Sequence, residues 1–199
     1  MFDDVELKLK KKNQILFNRQ SECLQVLKTL IEQQKHRTIV LWALDCAKIP
    51  LARIEEKYPN EPRPRVTLEV SEAWSSGRIK MPIAKRAILD AHAVAKEIDD
   101  AECGALCHAI GHACGTIHAE THALGLPFYE LTALVLRYGK DGYRKPVCEK
   151  IGYYCDRLVY WQENIDKQDR EWAEFLLDDT RPNKEKLLNE KHACGKLEF

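Results

Sequence analysis

Between His92 and His122 the sequence carries five of its seven histidines and three of its eight cysteines. The densest part reads Cys103-Gly-Ala-Leu-Cys107-His108-Ala-Ile-Gly111-His112-Ala-Cys114-Gly115-Thr-Ile-His118-Ala-Glu-Thr-His122-Ala-Leu-Gly125. Thiolate and imidazole are the groups of soft-metal sites and of nucleophilic catalysis. On one continuous helix, Cys103, Cys107, Cys114, His118 and His122 would share an arc of about 100°. The pairs His108/His112 and His118/His122 stand at i, i+4, where two imidazoles can chelate one ion. His112, His118 and His122 are therefore the candidate metal ligands, with Cys148, Cys155 or His92 as donors from a second helix.

Three spacing tests weigh against that chemistry. A zincin needs His-Glu-x-x-His, and His118-Ala-Glu120-Thr-His122 places its carboxylate one position late, turned away from both rings. Di-iron bundles need a Glu three residues before a His, and none of the seven histidines has an acid there. Cys103, Cys107 and Cys114 follow one another at spacings of 4 and 7, and Cys148 and Cys155 at 7, which lays thiols along helices rather than around a tetrahedral ion. A Cys114–His118 nucleophilic pair would also need a carboxylate to orient the imidazole. The competing reading is packing. Cysteine buries as a small hydrophobe, and Gly104, Ala105, Ala109, Gly111, Ala113, Gly115, Ala119 and Ala123 make this helix thin nearly all round. The sequence predicts a central helix over about 100–124, without catalytic residues or an obligate cofactor.

The remaining elements are read from apolar periodicity. Ser21 is placed to cap a helix carrying Leu24, Leu27, Leu30 and Ile31. A second helix holds Ile39, Trp42, Ala43, Cys46 and Ala47 on one face, and Pro50 should kink it or start a new turn. Pro59 to Arg65 is a loop, with Pro64 opening a helix that turns Val66, Val70, Ala73 and Trp74 inward and stops at Gly77. Further helices are expected over about 82–98, from Pro127 to about Tyr138, over 146–163 with Cys148, Ile151, Cys155 and Leu158 on one stripe, and near 168–178. Gly125 reads as the stop of the central helix. These patterns predict an all-α, antiparallel multi-helix bundle of about eight helices. One domain would cover 1–178, and 179–199 would form a charged C-terminal helix or arm.

The bulk numbers exclude several classes. Thirty-one acids balance thirty-one bases, so no general nucleic-acid or membrane-surface binder is expected. No run of about 18 apolar residues marks a spanning helix. The N-terminal acids do not fit a secretory leader, and eight cysteines without Cys-x-x-Cys read as reduced thiols of a cytoplasmic protein. No phosphate-loop, dinucleotide or hydrolase-elbow motif is present. The four tryptophans sit at helix-face positions, and the short basic run Lys8–Lys12 reads as a solvated face.

Several short motifs, taken together in order, resemble one family. They are Leu41-Trp42-Ala43-Leu-Asp45-Cys46-Ala47, Pro62-Arg63-Pro64-Arg65, Ala73-Trp74 with Gly77, Ala91-His92-Ala93, Gly111-His112-Ala113, Thr116, His118, His122-Ala123-Leu-Gly125 and Tyr129. Over about residues 37–140 the chain resembles the bacterial Imm-5-like putative immunity proteins. Members usually carry Ala or Val where this chain has Cys103, Cys107 and Cys114, which marks those thiols as packing residues. The resemblance implies an all-helical cytosolic protein that protects its producer by binding a cognate protein toxin, without catalysis. It leaves a homodimer open.

Overall fold

The computed structural model describes residues 1–194, and all regular elements among them are helical. In chain order these are α1 (Asp3–Lys10), α2 (Gln25–Glu32), α3 (His36–Cys46), α4 (Lys48–Lys57), α5 (Arg63–Ser75), α6 (Met81–Glu97), α7 (Ala101–Gly115), α8 (Gly125–Gly142), α9 (Arg144–Asn164) and α10 (Lys184–Cys194). Short 3-10 turns lie at Glu22–Leu24, Glu120–His122, Ile165–Lys167 and Glu174–Leu176. Among the described residues no helix is long and apolar enough to cross a membrane.

Helix α7 is the axis of the bundle. Helices α3, α4, α5, α6 and α8 all pack on it. Its start is fixed by Asp100, whose carboxylate accepts the Cys103 N–H at 3.0 Å. Cys103, Cys107, Ala109, Ile110, Ala113 and Cys114 have no exposed surface. Such short side chains let five neighbours approach one helix. At Gly104 a Cβ would stand 3.2 Å from the Ala95 carbonyl of α6. The thin central helix is therefore present, but it is shorter than its periodicity implies.

It ends at Gly115, not near residue 124. Glycine and the β-branched pair Thr116-Ile117 are weak helix formers, and Thr116 Oγ1 bonds back to the His112 carbonyl at 3.1 Å. Ala119 is fully extended, and the chain turns so that Ile117 and Glu120 bury. His118 and His122 consequently leave the helix that carries Cys103, Cys107 and Cys114, and the common Cys/His face dissolves. Gly125 opens α8 instead of closing α7.

Other expectations shift for local reasons. Pro50 lies in the first turn of α4, where its missing N–H costs nothing. In α5, Val66 is exposed, while Thr67, Leu68, Ser71 and Trp74 face inward. Thr67 can be buried because its hydroxyl donates to the carbonyls of Arg63 at 2.8 Å or Ala87 at 2.7 Å. In α9 the buried stripe is Val147, Tyr154 and Leu158, and Cys148 is exposed. The Tyr154 ring packs 5.7 Å from Trp42, and an aromatic ring gains more from burial than a thiol does. No α-helix forms near 168–178. There the Ala173 N–H donates to the Ser75 carbonyl at 2.9 Å and Arg170 donates to Ser75 Oγ at 2.7 Å, tying the strap to the end of α5. Ser21 makes no cap bond; its hydroxyl donates to Asp4 at 2.6 Å.

The C-terminal segment is docked. Arg19 pairs with the fully buried Glu185 at 2.7 Å, and Lys28 donates to Asn189 at 2.8 Å. Residues 195–199 of the expected arm lie outside the described residues.

Candidate functional site

The histidines do form a cluster, but with a different membership from the one the helix periodicity implies. Helix α6 supplies His92, α7 supplies His108 and His112 from adjacent turns, the 3-10 turn supplies His122, and α8 supplies Tyr129. His92 Nδ1 lies 2.7 Å from His108 Nδ1. Two neutral rings can make that contact only as opposite tautomers, one donating and one accepting. His112 stacks on Tyr129 at 5.1 Å and meets His92 edge-on at 5.5 Å. His108 lies 4.9 Å from Tyr129, and His122 lies 5.7 Å from His112.

Three glycines make room for three of these rings. A Cβ at Gly111 would stand 2.6 Å from His92 Cε1 and Nε2. A Cβ at Gly125 would fall onto Cγ and Nδ1 of His112. A Cβ at Gly115 would stand 3.2 Å from His122 Cγ. None of the three has a positive φ, so close approach, not backbone freedom, requires glycine here.

Burial and mutual repulsion hold the cluster neutral. Burial first, then the neighbouring imidazoles, push His112 down to about 3 and His92 to about 4. His108 and His122 are lowered too, chiefly by burial. On the other side of α7, burial pushes the Cys103 thiol up to about 11 and those of Cys107 and Cys114 up to about 12. These thiols have little nucleophilic character and belong to the core.

A recess of about 350 Å³ opens beside the rings, lined by Trp74, Ile88, Leu89, His112, His118 and His122 among others. It runs on past Trp74, Met81 and His118 into a second hollow of about 470 Å³ that reaches Phe175. His118 is exposed at the junction. Among the described residues no three His, Cys, Asp or Glu side chains are arranged to hold a metal ion. His112, His118 and His122 thus share a recess without forming a ligand set.

The other motif residues act as ties. Trp42 Nε1 donates to the Tyr154 carbonyl at 2.9 Å. Asp45 Oδ2 accepts from Arg157 Nε at 2.8 Å, Arg157 Nη2 at 2.5 Å and Trp161 at 3.1 Å, joining α3 to α9. Arg63 bridges Glu61 and Glu97, joining the Pro-rich loop to α6, and Arg65 pairs with Glu55 of α4. Trp74 is buried beneath Phe175, with ring centroids 5.9 Å apart. Sequence reasoning undervalued His108, although its i, i+4 spacing to His112 was visible. It also dismissed Glu120, which turns inward once the helix has ended.

The model of one family, Imm-5 like putative immunity protein, matches residues 29–157, more than half of the chain. Neither a curated protein nor a solved structure matches the chain.

Proposed function

Because the chain belongs to the Imm-5 like putative immunity protein family, we propose that it protects its producer by binding a cognate protein toxin stoichiometrically, without catalysis. The observation that carries the reading is the recess over the histidine cluster. Its floor is Trp74, and its rim exposes Met81, Leu89 and Phe175 by 41%, 53% and 36%. Lys80, Lys85 and Lys184 stand around it. An aromatic anchor point inside an apolar rim with charged edges is the composition of a binding hot spot. The partner that fits presents an apolar side chain flanked by acids. The neutral, mutually engaged imidazoles form a wall of this recess, and the thiols of α7 face away from it.

The test is co-expression with each secreted toxin encoded beside the gene. One such toxin should be tolerated only with the intact chain, and should co-elute with it at one to one. Leu89→Asp should abolish both effects while leaving the helical signal unchanged. Rescue by substoichiometric protein, or by the Leu89→Asp variant, would refute binding through this recess. Against the alternative use of His112, His118 and His122 as metal ligands, these donors do not converge among the described residues.

A further inference from the structure

The hollow that reaches Phe175 is built by two parts of the chain. Trp74, Lys80, Met81 and His118 come from the family-matched residues 29–157, while Ala173, Phe175, Arg181 and Lys184 come from beyond them. The later segment is docked as a wall. The Ala173 N–H donates to the Ser75 carbonyl at 2.9 Å, and Arg170 donates to Ser75 Oγ at 2.7 Å. Gly77, at φ 76°, lets the strap pass, since a Cβ there would stand 3.3 Å from Ala173 Cα. Ala173 and Leu176 are buried, so the inward side of the strap is settled against the bundle.

Phe175 is thereby held over Trp74, with ring centroids 5.9 Å apart. Trp74 is 5% exposed and Phe175 36%. The aromatic surface open to a partner at this end of the recess is therefore that of Phe175, with Trp74 as its backing. The charges are uneven too. Among the described residues that line the two hollows Glu174 is the one acid, against Lys80, Lys85, Arg181 and Lys184. Arg181 is already met by Asp178 at 3.0 Å. Lys184 Nζ has a carbonyl as its partner, that of His118 at 3.4 Å, and no carboxylate among the described residues. Such a cation attracts an acid on the partner and repels a base.

We propose that Phe175 and Lys184 determine which partner this chain accepts: a protein segment that sets an apolar side chain on Phe175 and an aspartate or glutamate against Lys184. The inference rests on the binding reading above and deepens it. Specificity is a difference between affinities, built from contacts that fit one partner and repel another. Exposed aromatic rings are enriched at interfaces, and charges set partner choice by attraction or repulsion. The family-matched part of the chain supplies the floor of the hollow. The segment after residue 157 adds an exposed ring and a cation that no acid meets.

Panning the full chain with a random linear peptide library tests it, followed by calorimetric titration of the enriched peptides. These should carry an apolar residue close to an acid. Phe175→Ala should weaken them by about tenfold or more. Lys184→Glu should weaken them as well, and replacing the peptide's acid by lysine should restore binding to that variant, which a mere loss of packing would not allow. Leu177→Ala, on the same strap but outside the hollow, should leave affinity unchanged. Should Phe175→Ala free the strap, seen as tryptic cleavage after Arg170, the Lys184 charge swap decides. Failure to enrich any peptide, indifference to both substitutions, or an equal loss in Leu177→Ala overturns the proposal. A toxin neutralised by the Phe175→Ala and Lys184→Glu variants but not by Leu89→Asp also overturns it and leaves the binding reading intact. Peptides that behave as expected where no neighbouring toxin is neutralised support this selectivity and overturn the toxin reading instead.

Discussion

Gly125 and His112 occupy one volume between them. The clash at Gly125 reaches His112 Cβ, which no change of rotamer can move, whereas Gly111 meets the far end of the His92 ring. Gly125→Ala should therefore destabilise by about 1–3 kcal/mol, and Gly111→Ala by less. The double variant Gly125→Ala/His112→Ala should cost less than the sum of its parts. A coupling of about 0.5–3 kcal/mol in urea denaturation is the expected measure. Titration gives a second prediction at this scale. The unfolded chain protonates its histidines near 6.5, while His92 and His112 stay neutral in the fold down to about 4 and about 3. Their stabilising contribution is complete above about pH 6.5 and is lost as pH falls through the folded values, by up to about 1.4 kcal/mol per pH unit for each ring. The urea midpoint should slide between pH 7 and pH 5, before most carboxylates titrate, and should slide less in His92→Phe/His112→Phe. A flat profile would mean that the rings are solvated.

At the scale of elements, the apolar period located most helices: α3, α6 and α8 bury the expected faces, while α5 and α9 form where expected with their inward faces displaced. It failed where a tertiary contact outweighed local pattern. The chain from Gly115 to Gly125 reads as helix because Ala and His recur at helical spacing. It turns instead because Ile117 gains more by burial than two further helical turns would supply, and Glu120 is carried inward with it. The same limit hid the site: His92 and His108 are 16 residues apart, and only the crossing of α6 on α7 brings their Nδ1 atoms together. Asp45 shows how a motif residue works at this level. One carboxylate oxygen gathers three donors from α9, so α3 and α9 are fixed in both rotation and height. Asp45→Ala should cost about 1.5–3 kcal/mol by thermal or urea unfolding, the range for hydrogen bonds to a charged group. Asp45→Asn should cost less, since it retains one acceptor.

Across the whole molecule, the last helix is fastened by polar contacts more than by apolar ones. Glu185 is fully buried, and its charge is met by Arg19, which also donates to the Thr121 carbonyl at 2.6 Å. One arginine thereby joins the N-terminal segment, the turn carrying His122 and α10. Arg19→Ala would strand a buried carboxylate. The loss should lie toward the low end of the about 3–5 kcal/mol seen for broken buried pairs, because Arg19 is itself partly exposed. Trypsin should then cut after Lys184 and Lys186 well before it attacks the core, whereas the intact chain should resist at those sites. The helical class, the central thin helix and the family were legible from residue types and their order. The docking of α10 was not, because its charged sequence resembles a solvated helix until Glu185 meets Arg19.

The three glycine–histidine cradles also constrain how this sequence can drift. A glycine that lodges a neighbour's ring is replaced at lower cost once that ring has shrunk, most of all at Gly125, while the histidine can change first with little steric penalty. Gly125 with His112 shows the strongest such ordering, since His112 Cβ does not move with a change of rotamer. At Gly125 the favoured first step is therefore histidine before glycine. A library that varies both positions together should recover combinations that no stepwise walk beginning at Gly125 would reach.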